Sequence, residues 1–189
     1  MKELAIKFNE EYDSNFDFSF SVMLIKTSIF HCLEPAEANS LDMQFVWKGR
    51  RFSFFGKVLK VVWDHGSNGI PPNYRMTLNQ GICGKAFQEG KETNTHNIVG
   101  VTLLAELLKG HNFKLNEMQK KSVQGIVIVA SCPLVIKDKG VDRQRKEVIG
   151  VLNVESRSFD SARLLLDENA RKIFFQKITN VANIYLNLH

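Results

Sequence analysis

The chain has 189 residues, a formal charge of +5, 44% hydrophobic and 24% charged residues, the size and balance of one globular domain with an apolar core. No run approaches the ~18 uninterrupted apolar residues that a bilayer span needs. The acids in the opening MKELAIKFNEEYDSNFDF take the place of a signal peptide's apolar region, so the cytoplasm is the expected location.

Leu4, Phe8 and Tyr12 fall at helical spacing, which predicts a short amphipathic helix over residues 1–14. Phe16, Phe18, Phe20, Val22 and Leu24 then alternate strictly, as in a strand with one buried face. Met23 and Ile25 turn the odd positions apolar, so its second half is expected to be covered on both sides. Residues 34–40 (EPAEANS) read as a loop. Residues 43–47 and 52–55, parted by KGRR, suit a hairpin. Residues 58–63 fit a strand or a helical turn. Residues 64–74 (DHGSNGIPPNY) are loop by composition, which leaves Asp64 and His65 facing solvent.

Gly81 and Gly84 bracket a tight turn, and residues 84–89 suit a helix that stops at Gly90. The glycine spacing and the absent terminal Ser/Thr exclude a phosphate-binding GxxxxGK[ST] loop. Residues 101–108 (VTLLAELL) predict a helix ending at Gly110, and residues 115–124 a second one.

The most informative stretch is 122–155. Residues 126–136 are nearly all apolar and rich in Val and Ile, and Val148, Leu152 and Val154 alternate beyond a polar loop at 137–146. This pattern predicts two adjacent antiparallel strands, the first covered on both faces. Pro133 cannot donate to a ladder, so the strand should be bulged or peripheral there. Residues 161–189 read as one long helix capped by Asp160 or Ser161. Its Phe174, Ile178, Val181, Tyr185 and Leu188 make a seam that either packs on the chain's own sheet or pairs with a second copy. The two readings are compatible, since separate stripes can serve each.

Cys32, Cys83 and Cys132 are widely spaced and odd in number, which indicates buried thiols rather than a disulfide framework or zinc site. The basic clusters KGRR and KDKGVDRQRK read as solvated loops, and no nucleic-acid partner is expected.

The order of pieces LNQGICGKAFQEGKETNTH (78–96), SCPLVIKDKG (131–140) and VIGVLNVESRSFD (148–160) resembles a GAF domain, the small-molecule sensory fold related to PAS domains. The resemblance covers about 15 to 188 and is densest between 78 and 160; residues 33–72 are longer and less regular than the family shows. It implies an α+β fold of one domain: an N-terminal helix (1–14), sheet and pocket-roof segments (15–160) and a C-terminal helix (161–189). A central antiparallel sheet would carry the terminal helices on one face, and short helices and loops from 74–121 over the other. A largely apolar pocket would lie beneath that roof. Trp63, Arg75, Phe87, His96 and Asn153 are the candidate ligand-facing groups, Arg75 for an anionic ligand group and Asn153 as a hydrogen-bonding group on the sheet.

Particular chemistries of the family find little footing. The cyclic-nucleotide pattern cannot be placed, and the bilin Cys-His dipeptide appears only reversed, as His31-Cys32. His96 and His111 alone make no iron or haem set, so no metal is expected. The branch that reduces free methionine sulfoxide matches at Cys83. That reaction needs a second thiol to resolve a sulfenic acid. The positions where that branch places its further cysteines hold Thr93 and Glu117. The expectation is therefore a non-enzymatic sensory or regulatory domain that binds an unidentified small molecule and signals through its terminal helices as a homodimer. The alternative is a ligand-free dimerisation or protein-interaction module.

Overall fold

The computed structural model describes residues 17–33, 44–48, 50–66, 74–78, 80–93, 99–103, 115, 117–137 and 146–187. The elements run β1 (Phe18–Leu33), β2 (Gln44–Trp47), β3 (Arg50–His65), β4 (Arg75–Thr77), α1 (Gly81–Thr93), β5 (Val99–Leu103), α2 (Glu117–Ser122), β6 (Ile128–Lys137), β7 (Lys146–Ser156), α3 (Phe159–Leu166) and α4 (Glu168–Asn187). All strands pair antiparallel in one sheet ordered β2-β3-β1-β7-β6-β5, with β4 against β3. The class is α+β. The segments expected at 1–14 and 34–40 lie outside the described residues.

The β6–β7 hairpin forms as its pattern dictates. Successive side chains of a strand point to opposite faces. On β6, Ile128, Ala130, Cys132 and Leu134 are buried on one face and Val129 and Val135 on the other. Pro133 pairs with Val151 of β7 one residue before a register shift at Leu134/Val135. On its other side, the described residues of β5 pair with β6 from Ile128 to Ser131 and stop short of Pro133.

One face of the sheet carries the C-terminal helices. Phe18, Phe20 and Val22 of β1 join Leu152 and Val154 of β7 in a cluster with Leu165, Phe174, Phe175 and Ile178. The Phe174 ring lies 5.3 Å from that of Phe18 and 6.4 Å from that of Phe20, centroid to centroid. The second face carries α1 and α2, whose Ile82, Ala86, Phe87 and nearby Val123 pack on Met23, Val129 and Val151.

Several expectations are corrected. The C-terminal segment is two helices, not one. Ser158 caps the first, its Oγ accepting from the Asp160 and Ser161 amides at 3.2 and 3.5 Å. Ser161 instead accepts the Asp17 amide at 3.0 Å, tying the helix to the entrance of β1. Asp167 is extended at φ −69° and ψ 120°, and its Oδ1 accepts the Ala170 amide at 2.7 Å, restarting the chain as α4. Of the two packings open to the seam, Phe174 and Ile178 take the chain's own sheet, against which they are buried. The backbone of 181 and 185 continues α4, and 188 lies outside the described residues.

Residues 99–103 form β5 rather than the start of a helix. Val99–Leu103 is rich in β-branched residues, and the amides of β6 opposite it supply a ladder that an isolated apolar run does not reveal. Residues 58–63 belong to β3, and Asp64 and His65 pair with Ser21 and Phe20 of β1 rather than lying in a loop, although Asp64 is exposed as expected. Trp47 pairs with Arg50, so the KGRR turn is a hairpin in which Lys48 takes a φ of 47°.

Gly90 does not stop its helix. It is buried within α1, where an added Cβ would meet the Pro133 ring, 2.7 Å from its Cγ. The glycine lets the helix axis settle close against β6, which sets the depth of the space beneath α1.

Candidate functional site: a polar row under the first helix

The odd positions at the start of β1 are serines, and they are buried: Ser19 and Ser21 lie on the face opposite the phenylalanines. The strand is therefore covered on both sides in its first half. The covering continues through Val22 and Met23, buried on opposite faces, and thins at Leu24 and Ile25, which are half-buried. The ladder brings polar groups into rows on this face. Ser21 pairs with Asn153 of β7, and Asn153 pairs in turn with Ser131 of β6. One step along, Ser19 pairs with Glu155, which pairs with Val129.

α1 delivers the fourth member of the first row. Gly81, at φ +63°, turns the chain into the helix in a conformation that a side chain disfavours. The turn is locked by Gln80, whose Oε1 accepts the Thr77 amide at 2.9 Å. Gln119 of α2 donates to the Arg75 carbonyl at 2.8 Å, holding the second helix to β4. Both glutamines are fully buried, so their hydrogen bonds fix rather than decorate this corner. Cys83 then points at the sheet, and its Sγ donates to Asn153 Oδ1 at 3.2 Å. Ser131 Oγ donates to the same oxygen at 2.7 Å, while Asn153 Nδ2 donates to Ser21 Oγ at 3.1 Å.

The Asn153 amide is thus oriented by three neighbours from three different elements. Burial pushes the Cys83 thiol up to about 12, so at neutral pH it is a donor and not a thiolate nucleophile. Cys132 faces the other side of the sheet near Thr179, and burial raises it to about 11. In a Cys32→Ser background, native protein at pH 8 is expected to resist iodoacetamide at both thiols until denaturant unfolds it. Rapid labelling of Cys83 in mass spectra of the folded protein would contradict this arrangement.

Beside the row lies a cavity of about 40 Å³. Its floor is Ser21, Met23, Val129, Asn153 and Glu155. Tyr74, Met76, Ile82 and Leu115 form much of the surrounding wall, and Ser122 and Val123 lie at the end of α2. Glu155 is half-buried, and removal from water raises its pKa to about 7, against a smaller lowering by Arg157. Burial also raises the Tyr74 phenol, as do the nearby Cys83 and Glu155.

Of the residues singled out from sequence, Asn153 lines this cavity. Phe87 is buried in the adjoining apolar cluster without lining it, and Arg75 is likewise not among the lining residues, although its carbonyl is held by Gln119. Trp63 packs against the helix-bearing cluster on the opposite face, because its position on β3 pairs with Val22 and shares that residue's side of the sheet. His96 lies outside the described residues. Ser21, Ser131 and Glu155 were missed. For Ser131 and Glu155 the signal was present as polar residues within largely apolar strands, whereas Ser21 alternates with Phe18, Phe20 and Val22 as a solvent-facing residue would.

Among the described residues no three His, Cys, Asp or Glu groups come together as metal ligands, and no helix is long and apolar enough to cross a membrane. Comparison with family models, with curated proteins and with solved structures found no match in any of the three.

Proposed function

We propose that this chain is a sensory, regulatory domain of the GAF type that takes a small molecule between its sheet and α1/α2. One observation carries the reading: a fully oriented polar row beside a small cavity, set on strands whose reverse side holds the C-terminal helices. On β7, Asn153 and Glu155 face the cavity while Leu152 and Val154 touch the cluster containing Phe174. A ligand that favours one tilt of β7 over another therefore biases the seating of α4. The output leaves through the C-terminal part of α4, the part that includes Val181 and Tyr185, where a second copy would associate. A thiol reductase is disfavoured by the protonated, hydrogen-bonded Cys83.

The second reading, a ligand-free interaction module, is favoured by the size of the cavity and by the mutual satisfaction of Cys83, Ser131, Asn153 and Ser21. The space matches a few water molecules. A metabolite screen read by melting temperature separates the two. Sensing predicts a compound that raises the Tm of the wild-type chain and loses that effect in Asn153→Leu. A broad screen without any shift, with Asn153→Leu still assembling as the wild type does, leaves the module.

A further inference from the structure

The chemistry of the cavity narrows the class of molecule that fits it, and the inference rests on the ligand-binding reading above. Among the described lining residues Glu155 is the one that carries a charge. No hydrogen bond to a described residue uses its carboxylate or the Tyr74 hydroxyl, in contrast to the closed row around Asn153. The two lie near enough for Glu155 to act on the Tyr74 phenol. Ser21 Oγ, which accepts from Asn153, keeps its own proton and a second lone pair. The unfilled side of the site is therefore rich in acceptors. Met23 and Met76 thioethers and the Tyr74 ring complete it, surfaces that accept a cation or an alkyl group.

We infer that this cavity takes the protonated nitrogen of a compact alkylamine, with Glu155 as counter-ion and Tyr74 and Ser21 as further acceptors. An ammonium group offers three N–H donors and suits a space on the order of three water volumes. A carboxylate or phosphate ligand would meet Glu155 and, among the described lining residues, no Lys, Arg or His. A neutral ligand would give the carboxylate no counter-charge in the cavity and would favour its protonated form instead. A divalent cation asks for several oxygen ligands of high charge, and the described residues bring only one carboxylate to the cavity. An amino acid would add a carboxylate with nothing to receive it there.

Among the described residues, the groups facing Glu155 are Tyr74 before β4, Cys83 on α1 and Arg157 just beyond its own strand. Of these, Glu155 is the one that changes charge between pH 5 and 8, so binding of an ammonium should strengthen across that interval and release a proton near pH 7.

The test uses the full chain with n-propylammonium chloride, and with n-propanol and sodium propionate as neutral and anionic molecules of the same size. At pH 8 propylammonium should raise Tm by about 2–4 °C at saturating concentration. The shift should vanish at pH 5, and Glu155→Gln should weaken calorimetric binding at pH 8 at least tenfold. Equal shifts from propanol, or undiminished binding by Glu155→Gln, would overturn the amine assignment. If propionate or propanol binds instead and Ser122→Phe, at the cavity wall, blocks it, the cavity is a ligand site and only the amine falls. If neither these probes nor any compound of the metabolite screen binds, the amine assignment and the sensory reading fall together, which leaves the interaction module.

Discussion

Replacing Phe174 with alanine is expected to lower stability by about 3–5 kcal/mol, the usual cost of deleting a buried aromatic side chain. The ring is fully buried and touches Phe18, Phe20 and Phe175, with centroids 5.3, 6.4 and 5.5 Å away. Its removal strips the contact that holds α4 to β1. Urea unfolding of the variant should show a midpoint lowered from the wild type's by the same amount at low and high protein concentration, because the partners of Phe174 belong to one chain. A loss that grew on dilution would instead restore Phe174 to a seam between copies. Ile173, next to it but 54% exposed, supplies the control: Ile173→Ser should change stability by less than about 0.5 kcal/mol.

Glu155→Gln is expected to stabilise the protein, and only above pH 5. The folded carboxyl titrates near 7 against its ordinary 4.5, because the cavity floor takes it out of water. Between these values the folded chain holds a proton that the unfolded chain has lost. Stability therefore falls as pH rises through that window and stays lower above it. The interval is worth about 3 kcal/mol at most. Glutamine resembles the protonated carboxyl and carries no such cost. Urea midpoints of the two proteins should nearly coincide at pH 5 and separate by about 2–3 kcal/mol in favour of the variant at pH 8. Parallel curves across this range would show that Glu155 is solvated.

The fold was legible where local pattern and global pairing agree. Residues 126–136 carry apolar side chains at nearly every position, and Pro133 with the Val and Ile content favours a strand buried on both faces over a buried helix. The break at Asp167 was not legible, because LLLDENARK fits a continuous helix until the aspartate is seen to cap the second one. The start of the run 101–108 misled for a different reason, residues 104–108 lying outside the described ones. Its helical periodicity competes with the ladder offered by β6, and only pairing decides such a contest.

At the candidate site, Asn153 stood out as a polar residue in an apolar strand. Ser21 looked like the solvent side of an amphipathic strand, since Phe18, Phe20 and Val22 account for one buried face. Its burial depends on α1 and the cavity wall, which come from residues far along the chain. Trp63 was misplaced because the register of β3 against β1, with its shift at Val22/Met23, determines which face each residue takes.

Composition and alternation alone thus determined the class, the central hairpin and the presence of a helical C-terminal segment, because side-chain periodicity is a local property. Which serines and acids meet at one cavity was decided only by tertiary structure. A strand's face follows from its neighbours' register, and the cost of a charge follows from what covers it.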